Sequence, residues 1–276
     1  GADLSGKDLT GMILTGADVS YSNLTGADLS GKDLTGMILI AADLTDVDIT
    51  GTILTGADLA LTNLAGVDLS DKDLTGTILT GADLSNTNLA GVDLSVMDLT
   101  GANLSGHDLS SKDLTKTILT ATNLTDTILP YGVLSGKNLV STKFNGVDLS
   151  GKDLSHSNFQ YADFDNANLE GANLADSTFI QVDFTKIKNK SLAGADLTYV
   201  SFAHSNLSGV DLSGTLLKAP NFWKTNLSGV DFTVVDSITA GALFSDANLS
   251  NSNFEGVNLS PSEIFIAVFE NKAHLK

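Results

Sequence analysis

Residues 1–8 read GADLSGKD, residues 26–33 repeat it, and residues 146–153 read GVDLSGKD. Each matches the phosphate-binding pattern G-x-x-x-x-G-K-[ST] up to its last position, where Asp8, Asp33 or Asp153 replaces the hydroxyl that ligates magnesium. That chemistry needs a strand leading into the loop and a helix leading out, whose free amides hold the phosphate. Other reactive residues are scattered. His107, His156, His204 and His274 form no pair at metal-ligand spacing, and the chain has no Cys. Asp8, Asp28, Asp48 and Asp68 recur at a constant interval and would form a carboxylate column if that interval made one turn of structure.

The elements that must position these groups follow from a period of five. Stepping by five from Leu4 to Phe184 gives 37 positions, and every one is Leu, Ile, Val or Phe. A helix repeats its apolar face every 3.6 residues and a strand every 2, so neither sustains this pattern. A chain that runs extended for about three residues, turns on small or polar ones and starts again does sustain it. The Gly, Asn, Asp and Ser that surround each apolar centre are the residues such turns need. Two glycines four residues apart therefore follow from the repeat itself, and Asp8, Asp33 and Asp153 fall at its ordinary polar position. No nucleotide site is expected.

The recurring unit, quoted as GADLS, GANLS, GADLT and NANLE, resembles the A-[DN]-L-x-x unit of the pentapeptide repeat family over about residues 1–260. The resemblance implies an all-β fold. It is a right-handed quadrilateral β-solenoid in which four units close a 20-residue coil, and the centre and the residue two before it point inward. KDLT at Lys32, Lys72 and Lys112 and KDLS at Lys152, spaced by 40, agree with that coil. Counting centres gives about 12 coils and, at about 4.8 Å per rung, a rod of roughly 60 Å.

With that coil, outward residues n and n+20 lie one rung apart, where like charges repel. One column reads Asp3, Asn23, Asp43, Asn63, Asp83, Asn103, an alternation that dilutes the repulsion. The unbroken column Asp8, Asp28, Asp48, Asp68 admits three readings: solvated carboxylates, a face with elevated pKa values, or a weak cation ladder. Lys7, Lys32, Lys72, Lys112, Lys137 and Lys152 occupy the inward position, where the family usually has a small residue. Their stems are expected to pack at corners, with the ammonium groups reaching out to acids on adjacent rungs.

The period breaks within residues 185–191 and 233–248. The first insertion carries Lys186, Lys188 and Lys190, a basic loop on an acidic solenoid and the most site-like feature of the sequence. Residues 1–260 are expected to form a single solenoid and 261–276 a capping helix and tail. Ser260, Pro261 and Glu263 make a helix start, and Ile264, Ala267 and Val268 can face the last coil. Phe265, Ile266 and Phe269 are then left for a dimer contact, as in gyrase-protecting members of the family. Gly1 opens in mid-register without a cap, which implies that the natural chain continues upstream or that this end abuts something.

The chain of 276 residues carries 33 acidic residues against 15 basic ones, a formal charge of −18. That charge repels nucleic acid and membrane surfaces and suits a basic protein partner. No apolar run approaches the roughly 18 residues of a membrane span. No cofactor or metal is expected, and a filled interior without a cleft leaves no place for catalysis. The function expected is a non-catalytic structural or protein-interaction scaffold. The alternative is a DNA mimic that binds and inhibits a type II topoisomerase, as relatives in this family do.

Overall fold

A computed structural model describes residues 1–9, 11–239 and 241–257. Its local unit is a short extended segment closed by a tight turn. In the first unit the amide of Lys7 donates to the carbonyl of Leu4 at 3.1 Å, and Gly6, the third residue of that turn, has φ of 57°. Asp3 fixes the approach to the turn: its Oδ1 accepts from the amide of Ser5 at 3.1 Å and from the Ser5 hydroxyl at 2.7 Å. This explains the grammar of the repeat. Asp or Asn before the centre and Ser or Thr after it make a local hydrogen-bonded loop, and Gly two after it takes the left-handed conformation. Tyr21, Ala41 and Leu61 adopt the same conformation with φ of 60°, 53° and 58°, against the preference of side chains with a Cβ.

The turns stack into a β-solenoid. Asp3, Asn23, Asp43, Asn63, Asp83, Asn103 and Asn123 pair successively in parallel, position n with n+20. Between rungs the amide of Leu24 donates to Asp43 and that of Asp43 to Ser22, at 2.8 and 2.9 Å. Four five-residue units thus close each turn of the solenoid. The centres fill the interior: Leu24, Leu29, Leu34 and Leu39 are fully buried, with Ala27, Ala42 and Ala57 in the small inward position beside them. Each buried Leu contributes about 1.5–3 kcal/mol of apolar transfer.

The chain divides into two compact units, Gly1–Pro130 and Tyr131–Lys276. The first has a core of Leu with a few Ile and Met. In the second, phenylalanines stack rung upon rung. Phe144, Phe164 and Phe184 form one stack, with centroids 5.0 and 6.3 Å apart. Phe159, Phe179, Phe202, Phe222 and Phe244 form another, at 4.8, 5.6, 5.7 and 5.2 Å. Edge contacts such as Phe179 on Phe184 at 5.3 Å join them.

Both insertions stay inside the ladder. Residues Phe184–Lys186 and Lys188–Lys190 form two 3₁₀ turns around Ile187, which is buried. Pairing continues with a spacing of 23, Asn173 to Asp196 and Asp183 to Asn206, and returns to 20 at Ser191 with Asp211. Near the second insertion β1 (Leu216–Lys218) pairs in parallel with β2 (Ser237–Thr239), and beyond it Asn221 pairs with Leu243 at a spacing of 22. The sequence pattern treats 233–248 as one interruption with Leu249 as the next centre. Phe244 corrects this: it is buried against Phe222 and Phe254, so the period resumes one unit earlier. The expected capping helix, with Phe265, Ile266 and Phe269, lies outside the described residues. Among the described residues no helix is long and apolar enough to cross a membrane.

Candidate functional site

The phosphate-loop lookalikes are pairs of successive tight turns, and no helix follows them. Lys32, the lysine of the second copy, donates its ammonium to the carbonyl of Leu9 at 2.7 Å, so it is held by the solenoid wall.

Asp8, Asp28 and Asp48 pair on adjacent rungs, while Asp68 pairs with Asn88. The Ser30 hydroxyl, followed by the Ser30 amide, holds the Asp28 carboxyl below its ordinary pKa, although the neighbouring Asp8 opposes this. Asp48 is lowered by the Thr50 amide and then its hydroxyl, and Asp68 by the Ser70 hydroxyl and then its amide. Of the three readings of this column, elevated pKa values do not hold for these three. Each carboxylate is satisfied by its own turn, and those bonds outweigh the like charge one rung away. Among the described residues no three acidic or histidine side chains converge to hold a metal ion.

The alternating column does more than dilute charge. Asn63 Nδ2 donates to Asp43 Oδ1 at 3.2 Å, Asn103 to Asp83 at 2.9 Å and Asn123 to Asn103 at 2.8 Å. Asn173 to Asp153 and Asn226 to Asn206 repeat the bond in the second unit, both at 3.0 Å. An amide can both accept from its own turn and donate to the rung below, whereas a second carboxylate could only accept.

The inward lysines depart from expectation. Lys112 Nζ donates to the carbonyls of Leu89 and Val92 at 2.6 and 2.8 Å, and Lys72 Nζ to that of Thr52 at 3.4 Å. These ammonium groups hydrogen-bond backbone carbonyls of the preceding rung, and their charges still help, after the turn bonds of Thr50 and Ser95, to lower the carboxyls of Asp48 and Asp93 on that side. Many inward polar side chains share one pattern, in which position n donates to the centre carbonyl at n−23, while others, such as Thr87 and Thr127, turn to the centre at n−3. Thr62 bonds Leu39, Thr122 bonds Leu99, Ser177 bonds Leu154 and Thr225 bonds Phe202, at 2.7–2.9 Å. His107 Nε2 takes the same place on Leu84, at 2.7 Å. A hydroxyl or ammonium that would be costly in an apolar interior finds a backbone carbonyl to accept it.

Two lysines of the basic insertion meet acids where they stand. Lys186 Nζ lies 3.5 Å from Asp165 Oδ2, and the charge of Lys188 helps to lower Asp148, after the hydroxyl and amide of Ser150. Lys190 folds toward Gly209, and its carbonyl accepts from the amide of Asp211 at 3.0 Å. The Asp165 carboxyl is raised, first by burial and then by the Asp163 charge, with Lys186 opposing. Burial acts on Asp163 too, but hydrogen bonds from the Asn145 side chain and the Asp165 amide leave it lowered. Lys186 and Lys188 thus belong to local charge clusters, while Lys190 lies against Gly209.

Thr87 Oγ1 lies 3.4 Å from His107 Nε2, but both groups also bond the Leu84 carbonyl, at 2.7 Å each, so this pair is held in the solenoid wall. His156 Nδ1 lies 3.8 Å from Asp176, and His204 stands edge-on to Trp223 with centroids 4.7 Å apart. An open groove lined by Asp71, Lys72, Asp73, Thr75, Thr77 and Asp93 runs along the first unit. Its threonines are already engaged: Thr75 donates to Asp73 and Thr77 to the Leu54 carbonyl. The inward hydroxyl-to-carbonyl bonds are what sequence reasoning missed, and their signal was Ser, Thr, Lys or His recurring two residues before a centre.

The profile of pentapeptide repeats matches eight copies, over residues 1–31, 42–81, 77–115, 117–155, 153–188, 190–233 and 237–260. No curated protein matches the chain. Among solved structures it is similar to HetL, a pentapeptide repeat protein involved in heterocyst differentiation regulation in the cyanobacterium Nostoc sp. strain PCC 7120. Identity there is 23%, covering 85% of this chain and 90% of that one, with a TM-score of 0.30. A structure of QnrB1, a plasmid-mediated fluoroquinolone resistance protein, matches at 18% identity over 71% of this chain and 86% of that one, TM-score 0.33. A pentapeptide repeat protein of the Arabidopsis thaliana thylakoid lumen matches at 28% identity over 42% of this chain and 70% of that one, TM-score 0.13. At such scores the superpositions say nothing of activity, and the assignment rests on the repeat and on the ladder that it builds: this chain belongs to the pentapeptide repeat family.

Proposed function

We propose that this chain is a non-catalytic acidic scaffold. Residues 1–260 form a right-handed, four-sided solenoid of about 12 coils. A helix within 261–276 caps it and offers Phe265, Ile266 and Phe269 for dimerisation. Its carboxylate columns face a basic surface of a partner protein, and Lys186, Lys188 and Lys190 mark a second contact loop.

The observation that supports this best is the turn hydrogen bonding of Asp28, Asp48 and Asp68. It keeps the carboxylates ionised and fixed at rung spacing, so a basic partner meets charges that need no ordering. Binding of a lysine-rich peptide tests the reading, in 20 mM and 150 mM salt, with wild type and with Asp28→Asn/Asp48→Asn/Asp68→Asn. Salt-weakened binding that the triple variant loses is expected, and binding that ignores the substitutions would refute it. A supercoiling assay with a type II topoisomerase belongs beside it: salt-sensitive inhibition would make DNA mimicry the better reading.

A further inference from the structure

One face of the second unit differs from every other. Asn138 and the five rungs above it, Asn158, Thr178, Ser201, Asn221 and Leu243, pair in parallel as a continuous outward ladder with no acid. Elsewhere in this unit the outward ladders carry Asp153 and Asp196, Asp183, or Asp211 and Asp231. The corners that bound the acid-free face hold Tyr161, Tyr199 and Trp223, each 41–50% exposed. They also hold cations. Lys218 Nζ sits 5.2 Å from the Tyr199 centroid and Lys224 Nζ 4.6 Å from that of Trp223, with His204 against the indole edge. Neither lysine forms an ion pair among the described residues, although the chain has 33 acids. Of the two acids at these corners, Asp176 is taken by His156, and Asp246 stands one rung beyond Lys224.

We infer that this face binds a short acidic polypeptide segment of a partner, with Lys218 and Lys224 meeting carboxylates and Tyr161, Tyr199 and Trp223 meeting apolar side chains. The surface is distinct from the acidic columns and its partner is opposite in charge. Aromatic rings hold each ammonium in place, so little side-chain freedom is lost on contact. The rest of the chain repels an anion, but the Debye length is about 8 Å at physiological salt, so local cations outweigh distant carboxylates. The same repulsion limits the ligand's length. Five rungs at about 4.8 Å span roughly 19 Å, the reach of about six extended residues, and a longer polyanion would run onto the acidic ladders.

Trp223 is the chain's one Trp and sits on the proposed surface, so its fluorescence reports binding there. The full chain is titrated with a blocked six-residue peptide of alternating Glu and Leu, with a Lys and Leu counterpart, and with a single-stranded oligonucleotide. A saturable change with the Glu peptide alone is expected, weakened about fivefold or more in Lys218→Gln/Lys224→Gln. Both lysines lie at exposed corners, and an unchanged melting temperature confirms that the variant is folded. No response to the Glu peptide, an equal response to the Lys peptide, or unaltered affinity in the variant would overturn the inference. Tighter binding of the oligonucleotide would replace it with a nucleic-acid surface.

Discussion

Lys112 offers the sharpest test of how the solenoid wall is held. In Lys112→Met the stem keeps its volume but both donors are lost. The Leu89 carbonyl still accepts from the amide of Val92 at 3.1 Å, so it remains partly satisfied. The Val92 carbonyl accepts from Lys112 and is left without a donor in a residue only 3% exposed. An orphaned buried carbonyl costs about 1–3 kcal/mol, and relief of the half-buried ammonium offsets part of this. A net loss of about 1–2 kcal/mol is expected, against about 0.5 kcal/mol or less for an ordinary surface lysine. Lys112→Thr should recover roughly half, because Thr122 already spans the same offset to Leu99 but a hydroxyl cannot also reach Val92. Since two compact units need not unfold together, native-state hydrogen exchange at Val92 and Ala102 is the better assay, with a speeding of about 5- to 30-fold in Lys112→Met. The difference from wild type should persist in 1 M salt, where an ion pair with surface acids would be screened. Exchange unchanged by the substitution, or an effect that salt abolishes, would refute the carbonyl assignment.

Phe179→Ala should destabilise the second unit by about 3–5 kcal/mol, since the ring is fully buried between Phe159 and Phe202; Phe179→Leu should cost about 1–2 kcal/mol, and calorimetry separates them. Asn103→Leu removes a donor to Asp83 and an acceptor for Asn123, for about 1–2 kcal/mol in denaturant unfolding at any salt, whereas Asn103→Asp should recover partly in high salt. Acid should lower the melting temperature. Carboxyls such as Asp28, Asp43, Asp48 and Asp153 are held below 3.8 in the folded chain, so the stability they confer is present above about pH 4 and lost as pH falls through the depressed values. Asp165, raised by burial, works in the opposite direction. A melting temperature that holds or rises between about pH 4 and pH 2 would contradict this account.

Much of the architecture is legible because the period of five leaves a chain few options. The apolar centres and the turns follow from it, the 20-residue coil is what the family resemblance implies, and Asp8, Asp28 and Asp48 do stack at that interval. What was not legible depends on geometry between rungs. That Lys112 and Thr122 serve the same kind of acceptor needs the offset of 23, which no pattern of residue types displays. The Asn103 amide could be read as charge dilution until its distance to Asp83 showed a donor. Phe244 was missed because a two-residue insertion shifted its register. The acid-free face was hidden for a related reason: its six residues lie at spacings of 20, 20, 23, 20 and 22, so no fixed step along the sequence collects them.

Those spacings have an evolutionary consequence. Paired rungs in the second unit take offsets of 20, 21, 22 or 23 along the chain, and the ladder continues through each change. A short insertion is thus absorbed where it occurs, as Phe184–Lys190 absorbs one in two 3₁₀ turns, and residues on either side keep their neighbours. Length changes that would scramble the register of an ordinary sheet are nearly neutral here. Such a chain can acquire new surface chemistry by indel as readily as by substitution, with each rung free to vary while the stack above and below preserves the fold.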